Sequence, residues 1–475
     1  MILLFVVMVV ATLALVSLGL VGLATIEHKM VIHKGYSVQQ VQLVYSGIDA
    51  AAQAIDDLDR PNIFDNPARF CGVEVLPEAW ISSEWGMGRF TVFSPRCEQD
   101  QVRGIRYGLT RESAKLSLEA ILAWETESAG LGAQALQKLP DITPTMIDSI
   151  LDWLDADDDA RPLGAESTYY QQEQKSYRPR NATPVDLEEL LFIRGIERSL
   201  IFGKERQQTF GARQSHLRKV HAASLDEMED PFMVPTPSES LAPEPGEQAV
   251  GNATEWQFLL TPYSAEKQVN SQGIVRIFLN ERNLEFLGSQ LRLHQLDEEA
   301  IRFILAWRNV MGNIADPIDL LDAEITVESE LVKSPFSCSD PIQYERFLRL
   351  LDEATTVSAI IIRGRINVNE APRLVLEAVP ELTADLVTMI VDRRKPDSEN
   401  HRHAVWLLAE QLVDKETMKQ LSRRLTTGGD VYRIQVAGFF ENKPTLSRAE
   451  AVLDATVKPP RTVFYKDLTP LGFPE

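Results

Sequence analysis

The chain has 475 residues, 44% of them hydrophobic, and carries a net charge of −21 with a pI near 4.9. That length exceeds what one hydrophobic core ordinarily serves, and the apolar share is that of a globular protein rather than a multi-span membrane protein. The acidity argues against nucleic acid as a partner, because phosphate contacts need clustered Lys and Arg, and it suits a chain that meets divalent cations.

The first stretch, MILLFVVMVVATLALVSLGLVGLATI, is uncharged from Met1 to Ile26. As a helix it would span about 39 Å, more than the roughly 30 Å of a bilayer core. No basic residue precedes it and it is too long for a signal-peptide core, so a retained membrane helix is expected. Lys29 and Lys34 follow the span. The positive-inside rule alone would put the C-terminal bulk in the cytoplasm, but long domains cross largely regardless of charge. Beyond the span, Val38, Val41, Val44, Ile48, Ala52 and Ile55 recur at helical spacing. They predict one rod continuing to about Asp59, with Gly35 as a soft point and Pro61 as the stop. Residues 1–60 thus read as a transmembrane and amphipathic helix.

Residues 61–110 read as strands. GRFTVFSPR (88–96) and VRGIRYGLT (102–110) are short, alternating and bounded by Gly, Pro and charge. Cys71 and Cys97 share this module, as one bridge or as two buried thiols; Cys338 is left over in either case.

From Arg111 the period turns helical, and 111–202 reads as a first helical domain. In TPTMIDSILDWL, Thr143 is the expected N-cap, Pro144 the first helical residue, and Met146, Ile147, Ile150, Leu151 and Leu154 the buried face. This helix runs into DWLDADDDARPLGAESTYY, Asp152 to Tyr170. Carboxylates crowd a helix C-terminus, where the dipole is already negative, so a cation is expected there. Asp155, Asp157 and Asp159 take positions 1, 3 and 5 of a twelve-residue calcium loop, with Glu166 at position 12. Position 6 is Ala160 rather than Gly and position 8 is Pro162, so the turn departs from the standard EF-hand. The competing reading is a solvated acidic loop.

NATPVDLEELLFIRGIERSL (181–200) predicts a small helical hairpin. Residues 203–253 read as a flexible acidic, Pro-rich linker, most clearly over 226–247. Residues 254–430 form a second helical region whose opening echoes RYGLTRESAKLSLEAILAW and suggests an internal repeat. It contains a hairpin-like segment about Pro380, at 364–395, without the Gly-rich turn and basic face that DNA binding would need. His401 and His403 flank Arg402 in a polar turn and are expected to be solvated. Strands return over 431–475: 431–440, 449–458 and 462–472. The architecture expected is α+β: a small module near the membrane with a large helical region inserted into it.

No G-x-S-x-G, H-E-x-x-H or P-loop occurs. An assembly protein is therefore preferred to a membrane-anchored enzyme or a helix-hairpin-helix nucleic-acid binder.

Together, the uncharged N-terminal helix, YGLTRESAKLSLEA, IDSILDWLDADDDARPLGAESTYY, NATPVDLEELLFIRGI, RINVNEAPRLVLEAV and FYKDLTPLG resemble general secretion pathway protein K, the large minor pseudopilin of the type II secretion system. The resemblance implies a pilin-like fold, a long N-terminal helix packed on a small antiparallel sheet, with an inserted SAM-like or helix-hairpin region. It implies calcium, for which Asp155, Asp157, Asp159 and Glu166 are the candidates. The implied role is the tip of a pseudopilus, initiating assembly and export across the outer membrane. The implied partners are minor pseudopilins of the I and J type, the major pseudopilin and the inner membrane, with the bulk of the chain in the periplasm. Family members carry a short basic leader ending in Gly, cut by a peptidase that also methylates the new N-terminus. Met1 reads as the first mature residue, or as a start codon placed too late. Phe5 stands where most pseudopilins have Glu, as in protein K. The linker at 226–247 and the second repeat depart from the family pattern.

Overall fold

The computed structural model describes residues 2–57, 62–75, 86–98, 101–172, 176–203, 251–252, 254–396, 398–441 and 445–469. Met1 and almost all of the expected 203–253 linker lie outside them. The fold mixes helix and sheet, and begins with a single helix, α1 (Ile2–Asp56), unbroken at Gly35. At 1.5 Å per residue α1 is about 80 Å long. Its first half is exposed, with a mean hydropathy of 2.6 in its most apolar window, and is long and apolar enough to cross a membrane.

The second half packs on an antiparallel sheet. The strands are β1 (Gly88–Glu98), β2 (Gln101–Arg106), β3 (Val431–Phe440), β4 (Leu446–Asp454) and β5 (Arg461–Asp467), in the order β5-β4-β3-β1-β2. The chain pairs Thr110–Arg111 with β3, leaves the sheet, adds the short edge pairing of Gly251–Asn252 to β2, and rejoins the sheet at Val431. The buried stripe of α1 differs from the expected one. Val38 is 55% exposed, while Tyr36, Gln40, Leu43, Val44, Gly47, Ile48, Ala51, Ala54 and Ile55 face the sheet. Apolar character alone does not mark this face, because its small residues allow close approach and Gln40 has a polar partner. Gln40 Nε2 donates to the Thr445 carbonyl at 2.7 Å, which ties the helix to the residue just before β4. Val44, Ile48, Ala51, Ala54 and Ile55 share one apolar core with Phe90, Val92, Ile434, Val436, Ala449, Ala451 and Leu453.

Gly438 in β3 makes this contact possible. A Cβ there would lie 2.4 Å from the Gln40 carbonyl oxygen and 2.9 Å from the Val44 nitrogen, both backbone atoms. Gly438→Ala is therefore expected to lift α1 from the sheet and cost about 1–3 kcal/mol, the range for overpacking. The urea midpoint of the full chain in detergent measures this; an unchanged midpoint would mean that the helix and sheet are less closely pressed.

The helical insertion has one continuous apolar core. Leu116, Ile121, Trp124, Ile150, Leu151 and Leu190 from its first part join Trp256, Leu287, Ile304, Phe347, Val387 and Leu421 from its second. Two short segments, Leu116–Ser117 and Leu260–Thr261, pair in parallel, and Trp256 Nε1 donates to the Pro140 carbonyl at 3.0 Å. Where the helical period was expected from Arg111, the helix starts later. Glu112–Ala114 is a 3-10 turn and Ser117 caps Leu118–Glu127. Neither His401 nor His403 is a solvated side chain. His401 is 4% exposed, stacked on Trp406 with ring centroids 4.3 Å apart, and its Nε2 is 3.0 Å from Glu410. His403 is half-buried, with Nε2 sealed from solvent.

The insertion is joined to the sheet by buried charge. Glu112, fully buried, accepts from Arg433 Nε at 2.8 Å, from Lys115 Nζ at 3.0 Å and from the Thr261 hydroxyl. Arg433, on β3, also pairs with Glu450 on β4.

Candidate metal centre

The acidic loop lies between two helices. α2 (Pro144–Leu154) starts as its sequence predicts, with Thr143 Oγ1 accepting from the Met146 amide at 3.3 Å and Pro144 at the first position. Its buried face, Ile147, Ile150, Leu151, Trp153 and Leu154, fixes where the C-terminus points. Asp155 is the C-cap. Glu166 precedes the short helix Ser167–Tyr170, whose Tyr170 packs edge-on against Trp153 with ring centroids 5.4 Å apart.

Asp155, Asp157 and Glu166 bring one carboxylate oxygen each to within 4.8 Å of one another. Asp159 is not in that group; it is exposed, and its amide donates to Asp157 Oδ1 at 3.0 Å. Arg161 folds back over the loop, its guanidinium 2.8 Å from Asp152 Oδ1 and 2.6 Å from Asp155 Oδ2. Gly164 allows this packing, because a Cβ there would lie 1.9 Å from Asp152 Oδ2.

One cation does not satisfy the carboxylates. Glu166 is 1% exposed and neither of its oxygens has a hydrogen-bond partner; Asp155 Oδ1 is also buried without one. Burial first, then the charges of Asp152, Asp155 and Asp158, push the Glu166 carboxyl up to about 8. Burial likewise raises Asp155, against the pull of Arg161. A buried carboxylate without donors is costly, and a hard cation with oxygen ligands removes that cost. The donor set therefore fits calcium.

Asn181 was not among the residues singled out from the sequence. Its Nδ2 donates to the Asp157 carbonyl, which leaves Oδ1 buried and without a partner beside the loop. The sequence signal was weak: an Asn opening a turn, more than twenty residues from the acidic run. The other residues singled out lie elsewhere. Phe5 is on the exposed apolar segment of α1. Cys71 is a half-buried free thiol whose pKa burial raises, and the Cys97 side chain lies outside the described residues.

Residues 126–202 match the family described as type II secretion system (T2SS), protein K. No curated protein matches the chain. Among solved structures, the crystal structure of the GspK-GspI-GspJ complex from the enterotoxigenic Escherichia coli type 2 secretion system aligns over 92% of this chain and 99% of that one. The identity is 13% and the TM-score 0.38, too distant a likeness to establish a common fold. The family that the sequence resembles and the family that matches residues 126–202 are thus the same one, type II secretion system protein K.

Proposed function

We propose that this chain is a minor pseudopilin of a type II secretion system, a structural and assembly component rather than an enzyme. The observation that carries the reading is the family match over 126–202, which contains the acidic loop. The long helix, apolar in its first half and packed on an antiparallel sheet in its second, supports a pilin-like subunit held by one membrane span. In this reading α1 crosses the inner membrane and the remainder lies in the periplasm. The subunit sits at the pseudopilus tip with minor pseudopilins of the I and J type, and the major pseudopilin extends the fibre below it. Calcium bound by Asp155, Asp157 and Glu166, with Asn181 completing the oxygen set, stiffens the helical insertion.

Co-expression with the I- and J-type pseudopilins of the same system tests the assembly. A tagged copy extracted in mild detergent is expected to retain both partners, and deleting its gene is expected to leave the secreted cargo inside the periplasm. Normal export in the deletion strain, together with no retained partner, would overturn the reading.

A further inference from the structure

The carboxylates at the end of α2 are not served evenly. Asp152 is fully buried and both of its oxygens have donors: the Arg161 amide lies 3.2 Å from each, and the Arg161 guanidinium 2.8 Å from Oδ1. The same guanidinium lies 2.6 Å from Asp155 Oδ2, while Asp155 Oδ1 stays buried without a partner. Asp157 and Glu166 form no ion pair among the described residues, and both Glu166 oxygens are left over. Arg194, also beside the loop, lies over the Tyr169 ring and donates to the Gly164 carbonyl at 3.1 Å rather than to a carboxylate.

Arg161 is thus the one cation that shares a carboxylate with the converging group Asp155, Asp157 and Glu166 among the described residues. It also stands at the C-terminus of α2, where the helix dipole favours positive charge. A charge tethered by its own backbone needs no association from solution, so it is present at every calcium concentration. A divalent ion on the group would share Asp155 with this guanidinium, and positive charges on one carboxylate repel each other. The repulsion outweighs any loss of alignment when Arg161 is removed, because Asp155 is already held in place as the C-cap of α2.

We propose that Arg161 is a built-in counter-cation, which steadies the acidic loop without calcium and holds its calcium affinity down. This rests on the calcium reading given above. The loop then keeps its shape where calcium is scarce and binds the ion reversibly where it is plentiful.

Isothermal titration of the full chain in detergent with calcium chloride, and melting curves in calcium and in EDTA, test the role. Arg161→Gln is expected to melt lower than wild type in EDTA, because the buried Asp152 loses its cation, yet to bind calcium about tenfold more tightly. Tenfold corresponds to about 1.4 kcal/mol, so the gap between the melting temperatures in calcium and in EDTA is expected to widen by about 3–6 °C. A role in packing alone would lower both temperatures equally. Arg161→Lys, which keeps the charge, is expected to bind calcium within about twofold of wild type. Arg346→Gln, which removes a positive charge paired with Asp297 and Glu299, is expected to leave the gap unchanged. Near-UV circular dichroism checks folding. If Arg161→Gln does not fold, Asp152→Asn with and without Arg161→Gln makes the same comparison with no buried carboxylate stranded. Equal or weaker calcium binding in a folded chain lacking Arg161, where the wild type responds to calcium, overturns this proposal alone. A wild type indifferent to calcium overturns the calcium reading together with it.

Discussion

Stripping divalent cations from the full chain with EDTA is expected to lower its melting temperature by about 5–10 °C, and excess calcium to restore it. A ligand that binds only the folded chain stabilises it by about 2.7 kcal/mol at a hundredfold excess over Kd. For a cooperative unit the size of the insertion, each kcal/mol moves the melting temperature by about 2–4 °C. The variants separate the ligands. Asp155→Ala with Asp157→Ala is expected to abolish the response, because two of the three converging carboxylates are lost. Asp159→Ala is expected to keep it, because that side chain stands outside the group. Glu166→Gln gives the sharpest contrast. It should lose the calcium response yet melt no lower than the wild type in EDTA, since an amide in that position removes first the cost of burying a carboxyl group and then that of its charge beside Asp152, Asp155 and Asp158. Indifference of the wild-type melting curve to EDTA would mean that the loop is merely solvated.

What could be read in the sequence follows from how local each signal is. Thr143–Pro144 and the apolar period behind it announce α2, because a cap and a helical stripe are complete within a dozen residues. The uncharged run of α1 is equally self-contained. The acidic spacing brought out Asp155, Asp157 and Glu166, which lie in one loop, but included Asp159, because spacing says nothing about which way a side chain turns. Asn181 was missed because its link to the Asp157 carbonyl is made in space and not along the chain. The same holds for the sheet: β1 pairs with β3 across the whole insertion, and no period in the sequence encodes that partnership. Val38 turned outward because the helix face was chosen by what Gly438 and the small residues of α1 can approach, not by hydrophobicity. His401 was misjudged because a polar H-R-H turn reads as solvated until Trp406 is folded over it.

Arg433→Met is expected to destabilise the chain by about 3–5 kcal/mol, the cost of leaving a buried charge without its main partner. Glu112 has no exposure at all, and Lys115 would then be its one cationic partner among the described residues, beside the Thr261 hydroxyl. The acid limb of stability gives the signature that a simple packing defect lacks. Burial works to raise the Glu112 carboxyl, but Arg433 and then Lys115 outweigh it and hold the group at about 2, against an ordinary 4.5. A depressed carboxylate contributes stability that is complete above the ordinary value and lost as pH falls through the folded one, so the window is pH 4.5 to 2. A shift of that size corresponds to about 3 kcal/mol across the window. In Arg433→Met the pull on Glu112 weakens, so urea midpoints measured between pH 5 and 2.5 should fall less steeply than in the wild type. Adding Glu112→Gln to Arg433→Met should recover part of the loss at neutral pH, because the stranded charge is gone. A single variant within about 0.5 kcal/mol of wild type, the usual range for a surface substitution, would show that the cluster is solvated rather than buried. The cluster is also where the two halves of the molecule meet: Glu112 opens the insertion, while Arg433 and Glu450 belong to adjacent strands of the sheet. Apolar residues there could bury comparable area in many orientations, whereas a carboxylate that must satisfy Arg433, Lys115 and Thr261 together admits far fewer. The cluster is one part of the joint between sheet and insertion, beside the apolar contact of Ala265 with Val431 and Val452.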